Sequence, residues 1–213
     1  MSVKSDSLSV GITVGAFGSA FGAAAIASHY TVAQACALSL LTFSGASQFA
    51  VVGVLGAGGS AFSAISTASL LGIRNGLYGV RMAQILQIKG IKRIFGAQLT
   101  IDESTGVALS QDNEADMKTG FWYTGLGVFI FWNLFTLLGA LGANALGNPA
   151  DWGLDTAIPA IFLGLVWNRL KDKKSWAIAI SALAMALALT PFAPAGVPIM
   201  ATVILAVILG WRE

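Results

Sequence analysis

The chain has 213 residues, of which 56% are hydrophobic and only 10% charged, with a formal net charge of +2. An average soluble domain carries roughly 25% charged residues, so this composition excludes a solvated globule and points to an all-α integral membrane protein. A small positive balance confined to connectors reports orientation in a bilayer rather than nucleic-acid binding, and the single cysteine, Cys36, excludes an intrachain disulfide.

Apolar blocks fall at about residues 8–28, 31–57, 60–80, 119–146, 156–170, 175–191 and 196–211. Each approaches the roughly 17–25 residues a spanning helix needs, which predicts about seven hydrophobic helical segments in one transmembrane transporter domain, residues 1–213. The first block is too long and too rich in glycine for a cleaved leader and reads as a first helix. Gly11, Gly15, Gly18 and Gly22 share one face of it, which suits close helix packing or the lining of a solute path.

The second block contains the polar string Ser44-Gly45-Ala46-Ser47-Gln48-Phe49. Hydrocarbon penalises polar groups without partners, so a broken or re-entrant helix near residues 44–48, offering hydrogen bonds to a solute at mid-depth, is the expected device. Ser44, Ser47 and Gln48 lie at i, i+3, i+4. They bond either to neighbouring helices or to a zwitterion, whose ammonium or carboxylate an amide can orient. In the third block Arg74 is the deepest charge of the first half; it either snorkels to the interface beside Tyr78 or pairs a carboxylate on the solute or the protein.

The connector 81–118 holds Arg81, Lys89, Lys92, Arg93 and Lys118, and is expected on the cytoplasmic side. Within it Ile85, Ile88, Ile91, Ile94 and Phe95 recur with helical spacing among basic residues, as in an interfacial amphipathic helix. Asp102 and Glu103 follow, either at a helix start capped by Thr100 or Asp102, or as carboxylates that couple proton movement to transport. Trp132-Asn133 adds an amide of similar ambiguity in the fourth block, and Asp155 reads as a cap. Basic residues at 169–174 return the chain to the inside, and the uncharged stretch 191–198 lies outside. Three early crossings ending inside at Arg81 put the N-terminus outside, giving seven crossings; six crossings with both ends inside follow if one early block is re-entrant.

Enzyme signatures are lacking. With one histidine, His29, and one cysteine, no zinc site or Cys/His dyad with two histidines can be assembled, and neither a phosphate-binding loop nor a Gly-x-Ser-x-Gly elbow occurs. No cofactor is expected, and transport would draw on a gradient.

The string Phe43-Ser44-Gly45-Ala46-Ser47-Gln48-Phe49-Ala50, then Ile73-Arg74 with Leu77-Tyr78-Gly79, then Leu99-Thr100 with Asp102-Glu103-Ser104, and Leu154-Asp155 before Pro159-Ala160 and Phe162, resembles the AzlC family. The resemblance implies the large subunit of a branched-chain amino acid exporter in the bacterial inner membrane. It implies efflux of leucine, isoleucine and valine, and in some members methionine, together with a small hydrophobic AzlD-type subunit. Where the family reads asparagine-x-arginine-histidine, this chain has Gly72-Ile73-Arg74-Asn75. The substrate-binding candidates are Ser44, Gly45, Ser47, Gln48, Phe49, Arg74 and Asn75; Asp102 and Glu103 are candidates for binding the ammonium group or carrying a coupling proton. The competing reading is a structural subunit whose partner carries the solute path.

Overall fold

A computed structural model describes residues 2–147, 151, 160, 163–164, 166–167 and 170–210, and all regular structure among these is helical. Among the described residues, two stretches are long and apolar enough to cross a membrane: Val3–Ala27 and Glu114–Ala145. The first comprises α1 (Val3–Gly15) and α2 (Gly18–Ala27), joined through Ala16 and Phe17, which both keep right-handed helical backbone angles. The second is α8 (Glu114–Ala145), about 48 Å long at the ~1.5 Å rise of an α-helix.

The glycine stripe of α1 and α2 packs on α8. Gly11 meets the backbone of Gly127, Gly15 meets Phe131 and Trp132, Gly18 meets Trp132 and Thr136, and Gly22 meets Thr136 and Ala140. The contacts advance in step along both helices, so the two run parallel. A Cβ on Gly18 or Gly22 would collide with the Trp132 or Thr136 carbonyl oxygen, which is why this face is built from glycine. Close packing, not the lining of a path, accounts for the stripe. The end of the bundle holding the start of α8 is called lower here, and the end holding Ala27 and Ala145 upper.

Block 31–57 does not form one helix. α3 (Val32–Thr42) is opened by a capping box in which Thr31 and Gln34 satisfy each other's backbone N–H groups. It descends against α8: the Ser39 and Thr136 hydroxyls lie 3.3 Å apart, and the Phe43 ring meets Phe129, halfway along α8. There the chain turns through Ser44, whose backbone is extended, and α4 (Gly45–Gly56) climbs back. Gly45 faces the Trp132 ring, Phe49 packs edge-on against Phe21, and Gly56 rests on Ser28 at the upper end. At about 17–18 Å each, the two helices make a hairpin whose tip sits at mid-height. The expected break thus falls at Phe43–Ser44, with residues 45–48 in the first turn of α4.

α5 (Ala61–Leu86), capped by Ser60, then descends the whole bundle beside α4. It is ended by Gln87 in the left-handed region and by Gly90 at φ +59, a conformation that glycine adopts without strain. This turn interrupts the periodicity read over 85–95: Ile85 is buried at the end of α5, and Ile88 lies over Gly96. Only Ile91, Ile94 and Phe95 form the exposed apolar face of α6 (Ile91–Gln98).

α6 climbs from the lower end until Gln98 Nε2 donates to the Leu40 carbonyl at 2.9 Å, and α7 (Asp102–Leu109) returns along α8, Leu99 and Ser104 beside Gly125 and Val107 beside Gly120. It is a second, shorter hairpin entering from the opposite end. α9 (Lys173–Leu189) and α10 (Val197–Gly210) form an antiparallel pair, with Gly196 against Val54 and Ser63 at the upper end. Most of block 156–170, with Leu154, Asp155, Pro159 and Phe162, lies outside the described residues.

Candidate functional site

The two hairpin tips and the middle of α5 enclose a cleft of about 510 Å³. The first tip contributes Phe43, Ser44 and Ser47, the second Gln98 and Thr100, and α5 contributes Ala68, Gly72 and Asn75. The Ser44 hydroxyl donates to Ser47 Oγ at 3.3 Å, and Ser47 in turn donates to the Ala68 carbonyl at 2.9 Å. With its hydroxyl so engaged, Ser44 does not cap α4. The N-terminal amides of that helix therefore receive no side-chain acceptor, and its positive dipole end is turned toward the tip. Across the cleft Gly72 of α5 faces Ser47, and a Cβ there would make ordinary contact with Ser47 Oγ at 3.5 Å.

Gln48 is fully buried. Its Nε2 reaches the Leu38 carbonyl at 3.4 Å, tying the two arms of the hairpin, and its Oε1 has no partner. Phe49 belongs to the core: its ring packs on Phe21, which stacks on Trp132. Gly45 lies under the same tryptophan. Of the residues expected in the site, Ser44, Ser47 and Asn75 share the cleft, whereas Gly45, Gln48 and Phe49 sit behind its wall.

Arg74 and Asp102 form an ion pair of 2.9 Å between α5 and α7, at side-chain exposures of 42% and 33%. They lie next in sequence to the cleft-lining Asn75 and close to Thr100. Arg74 Nε and Asp102 Oδ1 remain without partners, one donor and one acceptor left over from the same pair. The only other ion pair among the described residues is Lys118 with Glu114. Glu103 follows Asp102 in the first turn of α7, where both acids complement the helix dipole.

Neither Thr100 nor Asp102 caps α7. Thr100 donates to the Gly96 carbonyl at 2.7 Å, and the capping role falls to Ser104, which accepts from the Ile101 N–H at 3.1 Å and donates to the Leu99 carbonyl at 2.6 Å. Ser104 thus ties the second tip. Asn133 donates to the Phe129 carbonyl one turn back at 2.8 Å. In the exposed connector before α9, the Asp172 carboxylate accepts from the Ser175 N–H and hydroxyl, which hold its pKa below the usual value.

Sequence reasoning missed Gln98. A glutamine at the end of an amphipathic helix carries no distinguishing pattern, and only the meeting of the two tips gives it a place. No cluster of potential metal ligands occurs among the described residues. What the cleft offers is small hydroxyls, an amide and a helix start on one side, a cation and a carboxylate close by, and apolar wall from Phe43, Val51 and Ile65. Such a set suits a small solute with polar and apolar ends.

The model of the AzlC protein family matches residues 9–146, a span that contains both hairpins, α2, α5, α8 and the second half of α1, and hence the whole cleft. Comparisons with curated proteins and with solved structures return no match. With well over half of its length matched, the chain belongs to the AzlC protein family.

Proposed function

We propose that this chain is the large subunit of a branched-chain amino acid exporter of the bacterial inner membrane. It works with a small hydrophobic AzlD-type partner and is driven by a gradient rather than by its own motor. The observation that carries this reading is the meeting of two half-length hairpins, entering from opposite ends, at one polar cleft. Non-helical backbone at membrane depth is tolerated where it lines such a cavity, and discontinuous helices are how many transporters present amides to a solute.

The same geometry supports an N-terminus on the inside, as in the alternative of six crossings in place of seven, with block 156–170 counted as a crossing from its sequence. Parallel α1–α2 and α8 start on one side; the α3–α4 hairpin returns to the upper end without crossing, and α5 brings the chain back. Lys4, Lys89, Lys92, Arg93 and Lys118 then all belong to the cytoplasmic end, as the excess of inner lysine and arginine requires. Residues 1–213 form a single transporter domain on this reading.

The substrate carboxylate is held by the amides at the start of α4 with the Ser44 and Ser47 hydroxyls. Its ammonium goes to Asp102 Oδ1, and its side chain to the wall of Phe43, Val51 and Ile65. Selectivity among aliphatic side chains is loose, since one methylene in an apolar pocket contributes only about 1–3 kcal/mol. If one proton is coupled, its passage down 100 mV supplies about 2.3 kcal/mol.

A scaffold whose partner carries the path is the second reading; burial of Gln48 and the pairing of Arg74 with Asp102 rather than with a solute favour it. Efflux of isoleucine from dipeptide-loaded cells lacking their own exporter decides. Export is expected when this chain and its small partner are both present in the membrane. It should be lost with Ser47→Leu, which fills the cleft, without loss of either protein. Export that survives Ser47→Leu unchanged would give the path to the partner.

A further inference from the structure

A second cavity of about 700 Å³ adjoins the polar cleft, with Leu41 and Gln98 lining both. Its other walls are apolar: Leu40 at the end of α3, Ile88 and Phe95, and Trp122, Leu126 and Phe129 along one side of α8. The one charged lining residue is Lys92, in the first turn of α6. Lys89 and Arg93 stand exposed beside it, no acidic residue occurs between positions 75 and 101, and none of the three cations is in an ion pair among the described residues. The groove has a direction. Lys92 marks its lower end and Phe129 its upper end at mid-height, so a cation lies at one mouth and hydrocarbon runs inward from it.

We infer that this groove binds an anionic phospholipid of the inner leaflet, its phosphate on Lys92 and one acyl chain running along Phe95, Trp122 and Leu126 toward Phe129. The inference rests on the membrane reading above. The volume lies in the ~300–1,000 Å³ range of ligand pockets, and its polarity matches a molecule charged at one end and apolar along its length. A strongly hydrated free anion has no use for the apolar length, and a neutral lipid none for the lysines. The chain would end against Gln98, whose amide is held by the Leu40 carbonyl. It would thereby close the side of the polar cleft toward the lipid.

Trp122 supplies the probe. The full chain is reconstituted in phosphatidylcholine vesicles doped with brominated-chain phosphatidylglycerol or brominated-chain phosphatidylcholine, and the Trp122 component is taken as the difference from Trp122→Phe. Brominated phosphatidylglycerol is expected to quench that component at about fivefold lower mole fraction, the factor given by about 1 kcal/mol for one basic residue at the surface. Lys92→Gln should bring the two lipids level while both still quench. Equal quenching in the unaltered chain, or a preference that survives Lys92→Gln, would overturn the lipid site while leaving Trp122 in the bilayer. No quenching by either lipid would overturn the membrane reading itself. Loss of the phosphatidylglycerol preference when the small partner is co-reconstituted would assign the groove to that protein and also overturn the inference.

Discussion

Arg74 and Asp102 hold α5 to the second hairpin through a single 2.9 Å contact that stays in reach of water. A partly exposed pair contributes at most about 1 kcal/mol to stability, so its value lies in geometry: it fixes the second tip against α5 and leaves one buried donor and one buried acceptor without partners. We expect Arg74→Asp or Asp102→Arg alone to reduce isoleucine export by at least about tenfold, since each sets two like charges face to face at an energetic difference of about 1.4 kcal/mol or more. The exchanged double variant should recover the part of the loss that comes from the broken link, though not the part that comes from moving the ammonium's carboxylate away from position 102. Export assays of the three variants at matched membrane abundance check this, and a double variant no better than either single one would show that the pair acts separately rather than as a link.

Much of this was legible at the residue scale, and the part that was not has a physical reason. The sequence marks Arg74 as a deep charge and Asp102 as an acid in apolar surroundings, because both residue types are costly there. It does not say that they meet, since 28 positions separate them. Ser44, Ser47 and Gln48 were grouped by helical spacing, yet only the two serines reach the cleft. The start of α4 at Gly45 turns the glutamine inward toward Leu38, and a periodicity argument cannot fix where a helix begins.

Among the elements, the contact of α1 and α2 with α8 carries the bundle, and it depends on having no side chain at four positions. Gly22→Leu forces a branched side chain into the Thr136 carbonyl and should cost at least about 1–3 kcal/mol, the usual penalty of overpacking. Gly142→Leu, on the same helix partner but with nothing within 4 Å of the added carbon, should cost little. Thermal unfolding of both variants in detergent gives the comparison; equal midpoints would contradict the packing described here. The stripe itself was plain in the sequence. The half-length of α3 and α4 was not, because the mostly apolar block 31–57 satisfies the length rule for a crossing whether it forms one helix or a hairpin. Only the sites where Phe43 and Gly56 touch the rest of the bundle separate the two cases.

For the molecule as a whole, the parity of crossings is the central consequence. The apolar blocks alone allow two parities, three early crossings with the N-terminus outside, or one re-entrant early block with the N-terminus inside, and only the second suits the preference of Lys4 for the cytoplasmic face. On the proposed membrane reading the hairpin favours the second: His29 before α3 and Ala57 after α4 both belong to the upper end, and the tip between them reaches the cleft that the second hairpin enters from below. The direct test replaces Cys36 with alanine and introduces one cysteine at a time, as His29→Cys or Ala57→Cys, for labelling of intact spheroplasts with a membrane-impermeant maleimide. The account predicts that both cysteines label from outside without permeabilisation; labelling of one from outside and of the other only after permeabilisation would mean that residues 31–57 cross the membrane, and would contradict it.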